Sequence, residues 1–110
     1  MSRILFDQGT PIPLRDFLKL HSVYSAFEQG WATLKNGELL DRAENDGFEI
    51  LITTDRNLRY QQNLSTRRIA IVVLSSTSWP RIQLQVAQIV QVIDQATIGS
   101  FTEIQIDPSR

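Results

Sequence analysis

Two aspartates directly follow the two apolar runs that most resemble buried strands. Asp7 ends the run Ile4-Leu5-Phe6, and Asp55 follows the run at 50–54. The carboxyl ends of parallel strands meet at one edge of an open α/β sheet, and ligands bind at that edge in such folds. Two carboxylates there would form an anionic pocket suited to a hard divalent cation such as Mg²⁺ or Mn²⁺. The chemistry therefore depends on whether the strands that carry Asp7 and Asp55 are neighbours.

Other acidic and amide side chains extend this candidate site. Glu38 falls in the first turn of a predicted helix, from which it can point back over the carboxyl edge as a third metal ligand; Asp41 and Glu44 on that helix are weaker candidates. Asn57 offers an amide oxygen, although an Asp-x-Asn sequence is more often a turn. Either aspartate alone is best explained as a cap of the turn that follows it. Because Asp7 and Asp55 occur together, on the two most strand-like runs, a functional site explains them as well as two turn caps do.

The stretch after Asp55 is rich in arginine, with Arg56, Arg59, Arg67 and Arg68. Guanidinium groups beside a carboxylate–metal site suit a phosphodiester backbone, and a tyrosine such as Tyr60 stacks on a base. We therefore predict substrate contacts at Arg56, Asn57 and Arg59. A solvated surface is the more usual explanation of such a stretch, and closeness to Asp55 keeps the functional alternative open.

Composition narrows the classes of protein. The chain has 110 residues, 42% of them hydrophobic. Its 11 basic and 12 acidic residues nearly balance, so the overall charge does not favour binding to nucleic acid. It has no cysteine, which excludes disulfides and thiolate metal sites. The single histidine, His21, makes a zinc site improbable and a structural role the default. The apolar runs are too short for a bilayer, and a strand at the N-terminus leaves no room for a signal peptide. We expect one cytoplasmic domain over residues 1–110, without a membrane partner.

Strand-like and helix-like patterns alternate along the chain, which is typical of an α/β sheet with crossover helices. Strands are predicted at 4–6, 21–24, 48–54, 69–74 and 101–106, the last as a half-exposed edge. Helices are predicted after Pro11, after Asn36 and from Pro80 to Ala96. Right-handed crossovers then give a three-layer α/β/α sandwich around a mainly parallel sheet. If the strand order is the flavodoxin-like 2-1-3-4-5, the first and third strands are adjacent, and Asp7 and Asp55 are neighbours.

Three segments together resemble a known family. The opening ILFDQGTP at 4–11, GELL at 37–40 and LITTDRNL at 51–58 are similar, in that order, to motifs of PIN-like proteins of the DUF5615 type. The resemblance runs from about Ile4 to Leu74 and implies a PIN-like α/β/α sandwich related to metal-dependent ribonucleases, including toxins of toxin–antitoxin pairs. By position, Asp7, Glu38 and Asp55 match the acidic motif residues that hold Mg²⁺ or Mn²⁺ in such enzymes. The chain departs from the motif at Asn57, where relatives often carry a further aspartate, and at Leu58, where an aromatic is common.

The leading hypothesis is a PIN-like, metal-dependent endoribonuclease that acts on RNA, with an antitoxin protein as a further partner. The alternative is a catalytically inactive PIN-like module that binds RNA or a protein, with Asn57 marking a decayed site. A phosphoacceptor of the receiver type is disfavoured, because the final strand carries no lysine. Homodimer formation and the choice between Mg²⁺ and Mn²⁺ are left open by the sequence.

Overall fold

A five-stranded parallel sheet forms the centre of the protein. The computed structural model describes residues 2–58 and 64–107. The strands are β1 (Arg3–Phe6), β2 (Ser22–Ser25), β3 (Ile50–Thr53), β4 (Ala70–Leu74) and β5 (Phe101–Ile104). Their order across the sheet is β2-β1-β3-β4-β5, and all four pairings are parallel. The predicted α/β class and the predicted adjacency of the first and third strands are therefore confirmed.

The helices occupy the predicted intervals but differ in form. A 3₁₀ helix (Ile12–Phe17) replaces the first predicted helix; it begins after Pro11, with a proline in its first turn. Within the described residues the α-helices that follow are α1 (Asn36–Asn45), α2 (Trp79–Gln83) and α3 (Val86–Asp94). Among the described residues, no helix has the length and apolar character needed to cross a membrane.

The single helix predicted from Pro80 to Ala96 is wrong, because the chain leaves helical geometry at Gln85. The backbone of Gln85 has φ −119° and ψ 19°. Its side-chain amide donates to the carbonyl of Gln105 (2.9 Å) and accepts from the N–H of Asp107 (2.6 Å). The side-chain amide of Gln85 thus pairs with the backbone just beyond β5, as the backbone of a neighbouring strand would. This contact depends on residues some twenty positions away, so helical periodicity could not reveal it.

Two hydrophobic cores form from alternate residues of the strands. Ile4, Phe6 and Ile52 belong to one core, together with residues of the 3₁₀ helix, α2 and α3. Leu5 and Leu51 belong to the other core, together with residues of α1. Side chains of successive strand residues point to opposite faces of a sheet. Both faces of the central strands are covered, which is why β1, β3 and β4 are apolar at every position except Arg3, at the start of β1, and Thr53, at the end of β3.

Candidate functional site

Asp7 and Asp55 lie at the carboxyl ends of neighbouring strands. Phe6 of β1 is paired with Ile52 of β3, and the N–H of Asp7 donates to the carbonyl of Ile52 at 2.9 Å. This register places Asp7 opposite Thr53, the last residue of β3. Asp55 follows two residues later. The topology therefore brings the two predicted aspartates to one edge, as expected from the strand order.

The hydroxyl of Thr53 connects the two aspartates. It donates to Asp7 Oδ2 at 2.7 Å and accepts the backbone N–H of Asp55 at 3.0 Å. Thr53 is fully buried, so water does not compete for these hydrogen bonds. The position of the Asp7 carboxylate is thus tied to the backbone that carries Asp55.

Each carboxylate also accepts a local backbone hydrogen bond. Asp7 Oδ1 accepts the N–H of Gln8 at 2.7 Å, and Asp55 Oδ1 accepts the N–H of Asn57 at 3.0 Å. The second contact is an Asx turn, in which an aspartate side chain orders its own following residues. The turn interpretation is therefore confirmed for Asp55. Both carboxylates are half-buried at the same edge.

The loops after β1 and β3 approach each other closely. A Cβ atom added at Gly9 would lie 2.2 Å from Thr54 Oγ1, so only glycine fits beside this threonine without a shift. In the same turn, the hydroxyl of Thr10 donates to the carbonyl of Ile52 at 2.8 Å. The two loops that carry the aspartates are packed as one unit.

Both aspartates line a cleft of about 370 Å³. Lys35 and Thr53 also line it, and its apolar walls include Trp31, Leu34 and Leu58. The volume falls within the range of roughly 300–1,000 Å³ that is typical of small-molecule sites. The lining of the cleft thus combines one cation and two carboxylates with apolar side chains.

The other predicted site residues in the described part of the chain, Glu38, Arg56 and Asn57, are exposed and do not line this cleft. Glu38 is exposed in the first turn of α1, and the side chains that line the cleft within the described part of the chain do not include it. Arg56 is exposed, and its Nε lies 3.8 Å from Glu103 Oε2 on β5. The side chain of Asn57 is exposed, while its backbone N–H serves the turn at Asp55. Arg59 and Tyr60 lie outside the described residues.

The arginine stretch is divided between the two edges of the sheet. Arg67 lies near the amino end of β4, where its guanidinium binds Asp41 and Glu44. Glu44 Oε2 also accepts the N–H groups of Arg68 and Ile69, at 2.6 Å and 3.1 Å. Asp41 and Glu44 therefore anchor α1 to the sheet at the edge opposite the aspartates. The interpretation of them as weaker metal ligands is wrong.

The electrostatics of Glu44 fit this structural role. Burial alone would raise the pKa of its carboxyl. Hydrogen bonds from Ile69, Arg68 and Arg67 outweigh burial and hold the pKa below the ordinary glutamate value.

His21 also has the structural role that was predicted. Its Nδ1 accepts the N–H of Ser2 at 2.9 Å, so the ring proton lies on Nε2 and faces Asp94 Oδ1 at 2.8 Å. The histidine joins the start of the chain to α3 and lies away from the cleft.

The donor set of the cleft fits Mg²⁺ or Mn²⁺ as a two-carboxylate site. Mg²⁺ commonly takes one or two carboxylates and keeps water in its remaining positions. Asp7 and Asp55 could supply those carboxylates. Within residues 2–58 and 64–107, no group of three acidic, histidine or cysteine side chains is close enough to enclose an ion. A cation held by these two carboxylates alone would keep water in its remaining positions.

Two residues of the site are not among the predicted site residues. Thr53 adds a hydroxyl beside Asp55, and the strand order places it opposite Asp7. Lys35, the residue before α1, had no motif to mark it. Its position at the cleft follows from the path of the chain between β2 and α1, which periodicity does not show.

Comparisons with known proteins give no match: no protein-family model, no curated protein and no solved structure is significantly similar to the chain.

Proposed function

We propose that the protein is a PIN-like, Mg²⁺- or Mn²⁺-dependent endoribonuclease. The observation that carries the proposal is the pairing of Asp7 and Asp55 at the ends of adjacent parallel strands, joined through Thr53 and facing one cleft. The parallel order and the two cores, one packed with α1 and the other with α2 and α3, support the finer description as a three-layer PIN-like sandwich. The motif resemblance supplies the reaction class.

The roles of the residues follow from their positions. Asp7 and Asp55 would hold the ion, and Thr53 would keep the Asp7 carboxylate oriented toward it. When bound, the ion would act as a Lewis acid and lower the pKa of a coordinated water. Lys35 would bind a phosphate oxygen at the mouth of the cleft. Arg56 and Arg59 remain proposed contacts to the RNA backbone, and Asn57 a proposed contact to the substrate. Glu38 would act from outside the cleft, by orienting water.

Substitution of Asp7 tests the proposal. Asp7→Asn keeps the shape of the side chain but removes its charge, so we expect Mn²⁺-dependent cleavage of RNA to be lost. The amide of asparagine can accept only one of the two hydrogen bonds from Thr53 and Gln8, so the melting temperature should fall while the protein stays folded. Asp16→Asn is the matched control, because Asp16 is exposed on the 3₁₀ helix and lies away from the cleft. Equal cleavage by wild type and Asp7→Asn would remove the nuclease assignment.

A second function is favoured by the small number of acidic ligands. Among the described residues that line the cleft there are two carboxylates, and Glu38 is not one of these residues. A PIN-like module that binds RNA or a protein partner without cleaving would need no ion. RNA binding that persists in EDTA, without cleavage at millimolar Mn²⁺, would establish this alternative.

The toxin hypothesis adds a cellular consequence to the nuclease proposal. Expression of an active toxin without its antitoxin should arrest growth, and expression of Asp7→Asn should not.

A further inference from the structure

The segment between β2 and α1, residues 26–35, runs along the same edge as the two aspartates. The N–H of Ala26 donates to the carbonyl of Phe6 at 2.8 Å, so this segment starts beside the residue that precedes Asp7. Phe27 comes next and is 76% exposed. Lys35 ends the segment and lines the cleft. An exposed aromatic ring and a lysine thus flank the edge that carries the carboxylates.

The turn that presents Phe27 is firmly held. Ser25 and Glu28 exchange two hydrogen bonds, at 2.9 Å and 3.0 Å. Both carboxylate oxygens of Glu28 also accept from the guanidinium of Arg15, at 2.8 Å and 3.1 Å. The carbonyl of Ala26 accepts the N–H of Trp31 at 2.8 Å. The chain therefore fixes the backbone around Phe27 while leaving its ring in water.

The exposed ring makes no evident contribution to the fold. In the described part of the chain, the ring–ring contacts involve Phe17, Tyr24, Trp31, Phe48 and Trp79, and none involves Phe27. An exposed aromatic side chain on a fixed backbone, beside the edge proposed above to bind a phosphodiester, is what proteins use to stack an unpaired base. In a duplex the base faces are covered by their neighbours, so only a single strand can use such a ring.

We propose that residues 26–35 recognise single-stranded RNA, with Phe27 stacking on a base and Lys35 binding a neighbouring phosphate. This inference rests on the proposed function, because the phosphodiester to be cleaved would lie between them at Asp7 and Asp55. Stacking on an aromatic ring tolerates every base. The proposal therefore assigns specificity for unpaired strands rather than for a sequence.

The test is binding of a labelled single-stranded RNA, measured by fluorescence anisotropy in EDTA, where metal-dependent cleavage cannot interfere. We expect Phe27→Leu to weaken binding by about 5- to 100-fold and Phe27→Trp to retain it. Lys35→Ala should lower the slope of log affinity against log salt concentration by about one, and Phe27→Leu should leave that slope unchanged. A duplex of the same sequence should bind wild type more weakly than the single strand does.

Two controls lie at the opposite edge of the sheet. Ile98→Ala removes a side chain that is 85% exposed between α3 and β5, and Lys19→Ala removes an exposed lysine before β2. Both should bind RNA like wild type.

Each alternative result is informative. Unchanged binding in Phe27→Leu and Lys35→Ala, or no binding by wild type, would overturn the inference even if the protein cleaves RNA. Binding that depends on Phe27 and Lys35 without cleavage in Mn²⁺ would support the inference and remove the nuclease proposal.

Discussion

The hydroxyl of Thr53 lies between Asp7 and Asp55, donating to the carboxylate of one and accepting the N–H of the other. A buried polar group without a partner costs more free energy than the same group gains when it is paired. The position therefore requires a hydroxyl rather than only a β-branched side chain. Most of the site could be predicted at this scale, because the residue types and the strand order place Asp7, Thr53 and Asp55 together. Lys35 could not be predicted, since its position depends on the path of a loop.

Thr53→Val should destabilise the protein by about 1–3 kcal/mol, because it leaves Asp7 Oδ2 and the N–H of Asp55 without their shared partner. Unfolding by urea at neutral pH measures this change. Thr53→Ser keeps the hydroxyl and should recover most of the lost stability. If Thr53→Val and Thr53→Ser lose the same free energy of unfolding, the assigned role of the hydroxyl at this position is contradicted.

At the scale of elements, α1 is fixed to the sheet by charge as well as by its apolar side. Glu44 in the last turns of α1 accepts from Arg67, Arg68 and Ile69 just before β4 begins. These contacts link a helix to a strand that follows it by more than twenty residues. Sequence spacing placed Glu44 on the exposed side of its helix and could not show which chain segment would cover it. The break at Gln85 was missed for the same reason.

Stability should depend on the charge of Glu44. Its pKa is lower in the folded protein than in the unfolded chain, so its contribution is present at neutral pH and is lost as the pH falls below about 4.5. We expect Glu44→Gln to cost about 1–2 kcal/mol at neutral pH, because hydrogen bonds to a charged acceptor are the stronger ones. The difference from wild type should shrink in acid, as measured by urea unfolding at about pH 7 and pH 3.

Asp46→Asn is the control for this prediction. Asp46 pairs with Arg3 at 3.3 Å on the surface, and exposed pairs of this kind contribute less than about 1 kcal/mol. A Glu44→Gln variant as stable as Asp46→Asn at neutral pH would contradict the assigned role of Glu44.

For the whole molecule, the strand order decides what the two aspartates can do. The order β2-β1-β3-β4-β5 makes β1 and β3 neighbours, and their parallel direction puts both carboxylates at one edge. Alternating patterns and right-handed crossovers predict a parallel α/β sheet, but they leave the strand order open; the adjacency of β1 and β3 followed only if the order was the flavodoxin-like one. Whether a segment between strands forms a 3₁₀ helix or an α-helix was harder to predict, since propensity alone does not fix it. In the 3₁₀ helix Leu14 is buried, whereas Phe17 is half-exposed against Trp79. The membership of the PIN-like class stays a prediction.

The central claim is that Asp7 and Asp55 together hold a divalent cation. Calorimetric titration of Mn²⁺ into the wild-type protein and into Asp7→Asn tests it most directly. We predict a single binding event in wild type that is lost or strongly weakened in Asp7→Asn and is unchanged in the control Asp16→Asn. No binding by wild type at millimolar Mn²⁺, or equal binding by wild type and Asp7→Asn, would contradict the claim.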